Sequence, residues 1–332
     1  MTTSITDLSD ALAAILETTS PAVVRVEAGA NIVSGLVLDA TTIVTVRHGL
    51  PDDAPVSVTT HDGTVLSATI LGHDARLDLG FLTVADVALT PLSTPDADTP
   101  KTGHLVLTVG RGARGLRSSL GIVGAVGPAW RTRGGADVHL DIDVDATLHP
   151  TSAGGPLLDA SGRLVGINTP GLRPGGTTVP IATVHAALAH VREHGSVRPG
   201  LLGVRVRTTP LPPDLAAEHG QHQGLLVLGT PRRSPAARAG VESGDVLLTV
   251  NGAIVRSLLD LRTAVSTSGG SEVPVRILRA GQVVDLQVPV MAVDGLRHGW
   301  GRKGGRRRGP GGRGGPWRRF RKAARMHHHK RC

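Results

Sequence analysis

From residue 22 to residue 181 the chain is written in short runs of β-branched and aliphatic residues, and this rhythm limits the fold more than any other feature. The runs fall at 23–27, 32–38, 43–46, 56–60, 65–71 and 81–84, and again at 105–109, 121–126, 138–144, 163–167 and 177–181. Turn residues separate them, as at Asp62-Gly63. Many short strands at such spacing predict a mainly β body, a sandwich or a barrel. Its core has to come from Val, Leu, Ile and Ala, because the 332 residues hold no Tyr, three Trp and two Phe. Helical spacing appears on either side. Leu8, Leu12, Ile15 and Leu16 predict a helix over 6–18, which Pro21 stops. Val184, Ala187, Leu188 and Val191 share one face of a second helix, from 183 to 194.

Pro199-Gly200 reads as a linker into a second unit at 199–291. There a helix over 257–266 and strands over 273–279 and 282–290 predict an α+β module. Beyond it, residues 295–332 change character. They hold 14 Lys or Arg, no Asp or Glu and ten Gly, which predicts a disordered basic tail. The formal charge of +9 is therefore an average, since residues 1–294 carry 22 basic against 27 acidic side chains, a net of −5. Trp300, Trp317 and Phe320 alternate with arginines in the tail. Arginine neutralises phosphate and aromatic rings stack on bases, so nucleic acid is one expected partner and an anionic surface the other. Three adjacent histidines, His327 to His329, have no fixed scaffold and are poor evidence of a metal site.

The single cysteine, Cys332, excludes an internal disulfide. The N-terminus has no basic opening and carries Asp7, Asp10 and Glu17 where a signal peptide is apolar. No apolar run approaches ~18 residues. Together these favour the cytoplasm. No metal or organic cofactor is implied.

The chemistry concentrates at Leu148-His149-Pro150-Thr151-Ser152-Ala153-Gly154-Gly155-Pro156-Leu157-Leu158-Asp159. This stretch resembles the nucleophile loop of HtrA/Deg trypsin-like serine proteases, which typically reads Asn-Pro-Gly-Asn-Ser-Gly-Gly-Pro-Leu. The resemblance is collinear over about 21–193. Ile43-Val44-Thr45-Val46-Arg47-His48 resembles the strand that ends in the general-base histidine, and Ser34-Gly35-Leu36-Val37-Leu38 the strand before it. Arg76-Leu77-Asp78-Leu79-Gly80-Phe81-Leu82 resembles the segment with the triad aspartate, which falls on Asp78 and not on Asp74. Ser234-Pro235-Ala236-Ala237-Arg238-Ala239-Gly240-Val241 through Gly244-Asp245-Val246-Leu247-Leu248-Thr249-Val250-Asn251-Gly252 closely resembles the core signature of bacterial PDZ domains.

The resemblance implies a trypsin-like double β-barrel over 21–194, preceded by a helix within 1–20 and followed by a PDZ domain at 199–291. It implies His48 as general base and Asp78 as the carboxylate that orients it. The nucleophile position falls on Ala153, and the oxyanion hole on the backbone at Thr151 and Ala153. Leu201, Leu202, Gly203 and Val204 become the PDZ nest for a peptide carboxylate, with Leu258 and Leu261 as pocket or core residues.

A methyl group cannot attack a carbonyl, and loss of a triad nucleophile costs roughly 10^6 in turnover. Three neighbouring positions also depart: Thr151 stands where the loop usually has glycine, and His149 and Ser152 where it usually has asparagine. The expectation is a proteolytically inactive homologue that holds unfolded polypeptides or protein C-termini. Two alternatives stand beside it. One is an active serine endopeptidase whose serine has been replaced, with Ser152 as a displaced nucleophile in one variant. The other is a PDZ adaptor tethered to nucleic acid by the tail. Oligomeric state is left open, since the aromatic N-terminus that often supports trimers in this family is missing.

Overall fold

The computed structural model describes residues 4–292 except 52–53, 86, 93–95 and 173–176; the basic tail of the sequence reading lies outside the described residues. Six strands close into a first barrel. They are β1 (Val23–Ala28), β2 (Asn31–Val37), β3 (Thr42–Val46), β4 (Val56–Thr59), β5 (Val65–Asp74) and β6 (Leu79–Val84). Their order around the barrel is β1-β2-β3-β6-β5-β4. Closure removes the free edges that short antiparallel strands otherwise present. The interior is aliphatic, with Leu36, Ile43, Leu79 and Leu82 fully buried around Phe81.

A second set of strands follows: β7 (Leu105–Gly112), β8 (Gly115–Gly127), β9 (Trp130–Arg131), β10 (Asp137–Val138), β11 (Asp141–Asp145), β12 (Pro156–Asp159), β13 (Leu164–Asn168) and β14 (Thr178–Pro180). Six of them form a sheet in the order β11-β8-β7-β12-β13-β14, and its end strands β11 and β14 return into contact as a second barrel. Strands β9 and β10 pair by themselves as a small ribbon.

The expected run at 138–144 is thus two pieces, broken between Val138 and Asp141. Strand β12 carries the Gly-Gly-Pro-Leu frame straight into the sheet. Strand β8 begins at Gly115, well before the apolar run that marks it in sequence, because Arg117, Ser118 and Ser119 pair with β7 through their backbone.

Helix α1 (Ile5–Thr19) starts on a capping box. Ser4 Oγ accepts from the Asp7 N–H at 3.1 Å, and Asp7 Oδ2 accepts from the Ser4 N–H at 2.9 Å. Leu12, Ile15 and Leu16 lay its apolar face on the body. Helix α2 (Ile181–His194) buries Val184, Ala187, Leu188 and Val191, the face expected from spacing. The chain then returns to the first barrel, where the Val197 N–H donates to the His73 carbonyl at 2.7 Å.

The C-terminal module has a core of its own. Leu202, Leu225, Val227, Leu247, Val250, Leu261, Val275 and Ile277 belong to a cluster that shares no residue with the body's. Its strands are β15 (Gly200–Leu201), β16 (Arg205–Pro210), β17 (Gln223–Gly229), β18 (Val246–Val250), β19 (Ala253–Ile254), β20 (Glu272–Arg279), β21 (Gln282–Pro289) and β22 (Met291–Ala292). The sheet order is β16-β17-β18-β20-β21, with β19 on β18 and β15 on β22. Its helices are α3 (Pro213–His219), α4 (Pro235–Arg238) and α5 (Leu258–Ala264). Ser257 caps α5 in a second capping box with Asp260.

Candidate active site and peptide groove

Strand β3 ends in a short 3₁₀ turn, Arg47–Gly49, which carries His48 to the surface between the barrels' loops. His48 Nδ1 stands 2.7 Å from Asp78 Oδ2, and the His48 backbone N–H donates to Asp78 Oδ1 at 3.0 Å. The Asp78 carbonyl accepts from the Arg47 N–H at 2.9 Å. Asp78 itself is held at φ +57°, a conformation that aspartate tolerates better than most residues. Through this hydrogen bond the Asp78 carboxylate raises the His48 imidazole above its ordinary pKa of 6.5, against the opposing effect of partial burial. With Nδ1 committed to Asp78, Nε2 is the nitrogen that faces outward; it carries no hydrogen bond among the described residues. A histidine and carboxylate paired in this way have the geometry that a general base and its orienting group require. Asp74 does something else: it is buried and takes a two-pronged ion pair from Arg76, with Nη2 to Oδ2 at 2.7 Å.

The loop opposite closes on itself. His149, Pro150, Thr151 and Ser152 make a 3₁₀ turn that ends at Ala153. The Thr151 N–H donates to His149 Nδ1 at 3.2 Å, the Ser152 N–H to the His149 carbonyl at 2.7 Å, and the Ala153 N–H to the Pro150 carbonyl at 3.4 Å. The Gly154 N–H donates to the Asn168 carbonyl and the Gly155 N–H to the Ser152 carbonyl. All five amides from Thr151 to Gly155 therefore have acceptors inside the protein. An oxyanion hole needs at least two such donors left aimed at the reacting oxygen. In this arrangement the hole expected at Thr151 and Ala153 is not open. The physical cause is local: His149 presents a ring nitrogen to the Thr151 N–H, and its Nδ1 also lies 2.9 Å from Thr151 Oγ1.

Ala153, the expected nucleophile position, presents only a methyl group and is almost fully buried. Ser152, next to it, is buried as well, and no hydrogen bond joins it to His48. Gly154, at φ +82°, runs so close to β2 that a Cβ would come within 2.2 Å of the Ser34 carbonyl.

Ser34 is the residue that sequence reasoning passed over. Its N–H donates to the Ala153 carbonyl at 2.9 Å, its Oγ accepts from the Arg111 N–H at 2.7 Å, and its Oγ donates to the Thr151 carbonyl. One buried serine thus pins the loop at two points. The only signal for it was a small polar residue inside an apolar strand. Gly171 was also missed. A Cβ there would lie 2.8 Å from Asp78 Oδ2, so a side chain would push on the dyad. Among the described residues no cluster of three or more His, Cys, Asp or Glu is placed to hold a metal.

The second site lies in the C-terminal module. Strand β16 is an edge of its sheet, and α5 packs against it. Thr208 Oγ1 donates to the Arg256 carbonyl at 3.2 Å, tying the strand to the start of that helix. Leu201 lies on β15. Leu202 is buried in the core, Gly203 turns the chain at φ +74°, and Val204 is half-buried at the mouth. The N–H groups of Leu202, Gly203 and Val204 find no acceptor among the described residues. Successive free amides around a left-handed residue form a concave anion nest. Leu261 is core, whereas Leu258 is exposed on the first turn of α5, beside the open edge.

Comparison with known proteins agrees with this anatomy. The profile for the trypsin-like peptidase domain matches residues 33–167, and that for the PDZ domain matches residues 232–279. A probable periplasmic serine endoprotease, DegP-like, from Chlamydia pneumoniae is 31% identical over 258 residues, 75% of this chain and 52% of that protein. The periplasmic pH-dependent serine endoprotease DegQ of Escherichia coli K12 is 28% identical over 268 residues, 77% of this chain and 58% of that protein. The chain thus spans about half the length of the curated relatives it matches. Among solved structures, the HtrA-type protease AlgW with a decapeptide is 27% identical with a TM-score of 0.59, covering 85% of this chain and 98% of that one. A serine-to-alanine variant of AlgW with a tripeptide is 30% identical with a TM-score of 0.60, covering 85% and 97%.

Proposed function

From the premise that the chain belongs to the HtrA/Deg family of trypsin-like serine proteases with a C-terminal PDZ domain, we propose that it holds polypeptides without cutting them. The observation that carries this reading is the closed loop at Thr151–Gly155, where five consecutive amides are satisfied internally behind a methyl group at Ala153. Two losses then combine. The missing nucleophile costs about 10^6 in turnover, and each missing oxyanion donor costs roughly 10^2–10^3 more. His48 and Asp78 keep the geometry of a base and its orienting group but have nothing to activate. The peptide groove between β16 and α5 is intact, with its nest of free N–H groups, and extended polypeptides with a free C-terminus are its proposed ligands.

The test is cleavage of an unfolded protein by the chain, by Ala153→Ser, and by His149→Asn/Thr151→Gly/Ala153→Ser. The first two are expected to be inert. The triple variant, which removes the ring nitrogen that captures the Thr151 amide, is expected to cut. Cleavage by the unaltered chain at an enzyme-like rate would sink the reading. Cleavage by Ala153→Ser alone would show that the hole opens when substrate arrives, leaving the missing serine as the single block.

A further inference from the structure

The PDZ groove carries a charge pattern that goes beyond capture of a carboxylate. On β16, Val206 and Thr208 share the face of the sheet that packs toward α5, Val206 opposite Val227 and Thr208 opposite Leu225, and Val204, just before the strand, packs on the same core. Arg207 stands opposite Leu226, on the other face, and is exposed. A bulge between Arg205 and Val206 displaces Arg205, whose guanidinium lies over Gly229; a Cβ on that glycine would come within 2.7 Å of its Nη2. Arg232 and Arg233 are exposed on the loop that follows Gly229 and leads to Ser234, which packs on Gly203 at the nest.

These four arginines make no ion pair among the described residues. The contrast with the far edge of the same sheet is sharp: Arg276 is paired with Asp285 and Arg279 with Asp245, each at 2.8 Å. The carboxylate of α5, Asp260, is engaged at the start of its own helix, where its oxygen accepts the N–H groups of Arg256 and Ser257, and it forms no ion pair with these arginines among the described residues. Unpaired cations therefore surround one end and one face of the open edge strand.

We propose that this groove selects extended C-terminal peptides with an apolar last residue and acidic residues at alternating positions before it. The proposal rests on the peptide-binding reading above and names the ligand's chemistry. The nest lies at the start of β16, so a peptide whose carboxylate sits there runs antiparallel to the strand. Side chains of an added strand alternate between faces. The terminal side chain turns toward α5 and Leu258. The penultimate and alternate residues turn to the opposite face, beside Arg207 and the rim formed by Arg205, Arg232 and Arg233. Apolar residues suit the first face and carboxylates the second.

The test uses the full chain and fluorescently labelled octapeptides in anisotropy titrations at low salt. One peptide carries Asp at the penultimate and next alternate positions before a terminal Val, one carries Asn there, one carries Lys, and one is the Asp peptide with an amidated terminus. The Asp peptide is expected to bind roughly tenfold more tightly than the Asn peptide, two exposed charge pairs being involved. The Lys peptide is expected to bind most weakly, and Arg205→Glu/Arg207→Glu to reverse the order. If the amidated peptide binds as well as the free acid, the nest reading itself fails. If the free carboxylate is required but Asp, Asn and Lys peptides bind alike, the acidic preference is wrong and the groove reading stands. If the double variant keeps the preference for Asp, another part of the chain supplies it and the proposal is overturned.

Discussion

A single hydrogen bond separates His48 from an ordinary surface histidine. Its Nδ1 sits 2.7 Å from the Asp78 carboxylate, which raises the imidazole above its usual pKa while partial burial works against it. The linkage has a definite sign. A base whose folded pKa is raised adds stability that is fully present below its unfolded value of 6.5 and is lost as pH rises through the folded value. Asp78→Asn removes the charge and keeps the shape. The His48 pKa, followed by NMR titration of the ring protons, should fall, and the stability lost as pH rises from 6.5 through the folded value should shrink with it. An unchanged pKa would mean that the pair is not formed in solution. Sequence reasoning found His48 and Asp78 because each has a local motif around it. It placed Ser34 only as part of a strand, because a small polar residue there says nothing of its role until the tertiary structure brings the Ala153 and Thr151 carbonyls to it.

Hairpins set the register of both barrels and of the PDZ sheet, and one of them is built with an unsuitable residue. Strands β20 and β21 pair from Glu272↔Pro289 to Arg279↔Gln282, leaving Ala280 and Gly281 as the two-residue turn. Both have positive φ, +50° and +81°, as a type I′ turn requires. A β-carbon in that region costs about 1–2 kcal/mol, which asparagine partly escapes by local hydrogen bonding. Ala280→Asn should therefore stabilise the module by roughly 0.5–1 kcal/mol, read as a higher urea midpoint at unchanged slope. A lower midpoint would place the turn in another geometry. Such details explain where the strand expectations slipped. Apolar runs marked β21 to within a residue and β5 from its first residue, but only the second half of β8, whose start is set by backbone pairing that polar residues such as Arg117 and Ser118 join as readily.

At the scale of the molecule, one arginine ties parts of the chain that lie far apart in sequence. Arg111, at the end of β7, is buried and has no carboxylate partner among the described residues; its Nε donates to the Val23 carbonyl at 2.6 Å and its Nη2 to the Ser20 carbonyl and Oγ at 2.7 and 2.8 Å. It fastens the second barrel to the start of the first and to the end of α1. Lysine has no planar fork and reaches only one of these acceptors at a time. Arg111→Ala should destabilise the protein by at least about 2 kcal/mol, as buried acceptors lose their donor, and Arg111→Lys should recover only part of it. Equal stability of all three in chemical denaturation would show the tie to be idle. By itself, the sequence determined the β architecture, the PDZ module and the alanine before the Gly-Gly-Pro frame, because periodicity, turn residues and short motifs are local and survive in one dimension. Only the tertiary structure decided that the Thr151–Gly155 amides are consumed by acceptors in their own loop and, for Gly154, by Asn168 on β13, and that the arginines without ion pairs among the described residues gather along one open edge. Hydrogen-bond partners and charge neighbours depend on which distant residues the fold brings within a few ångströms, and no spacing in the chain records that.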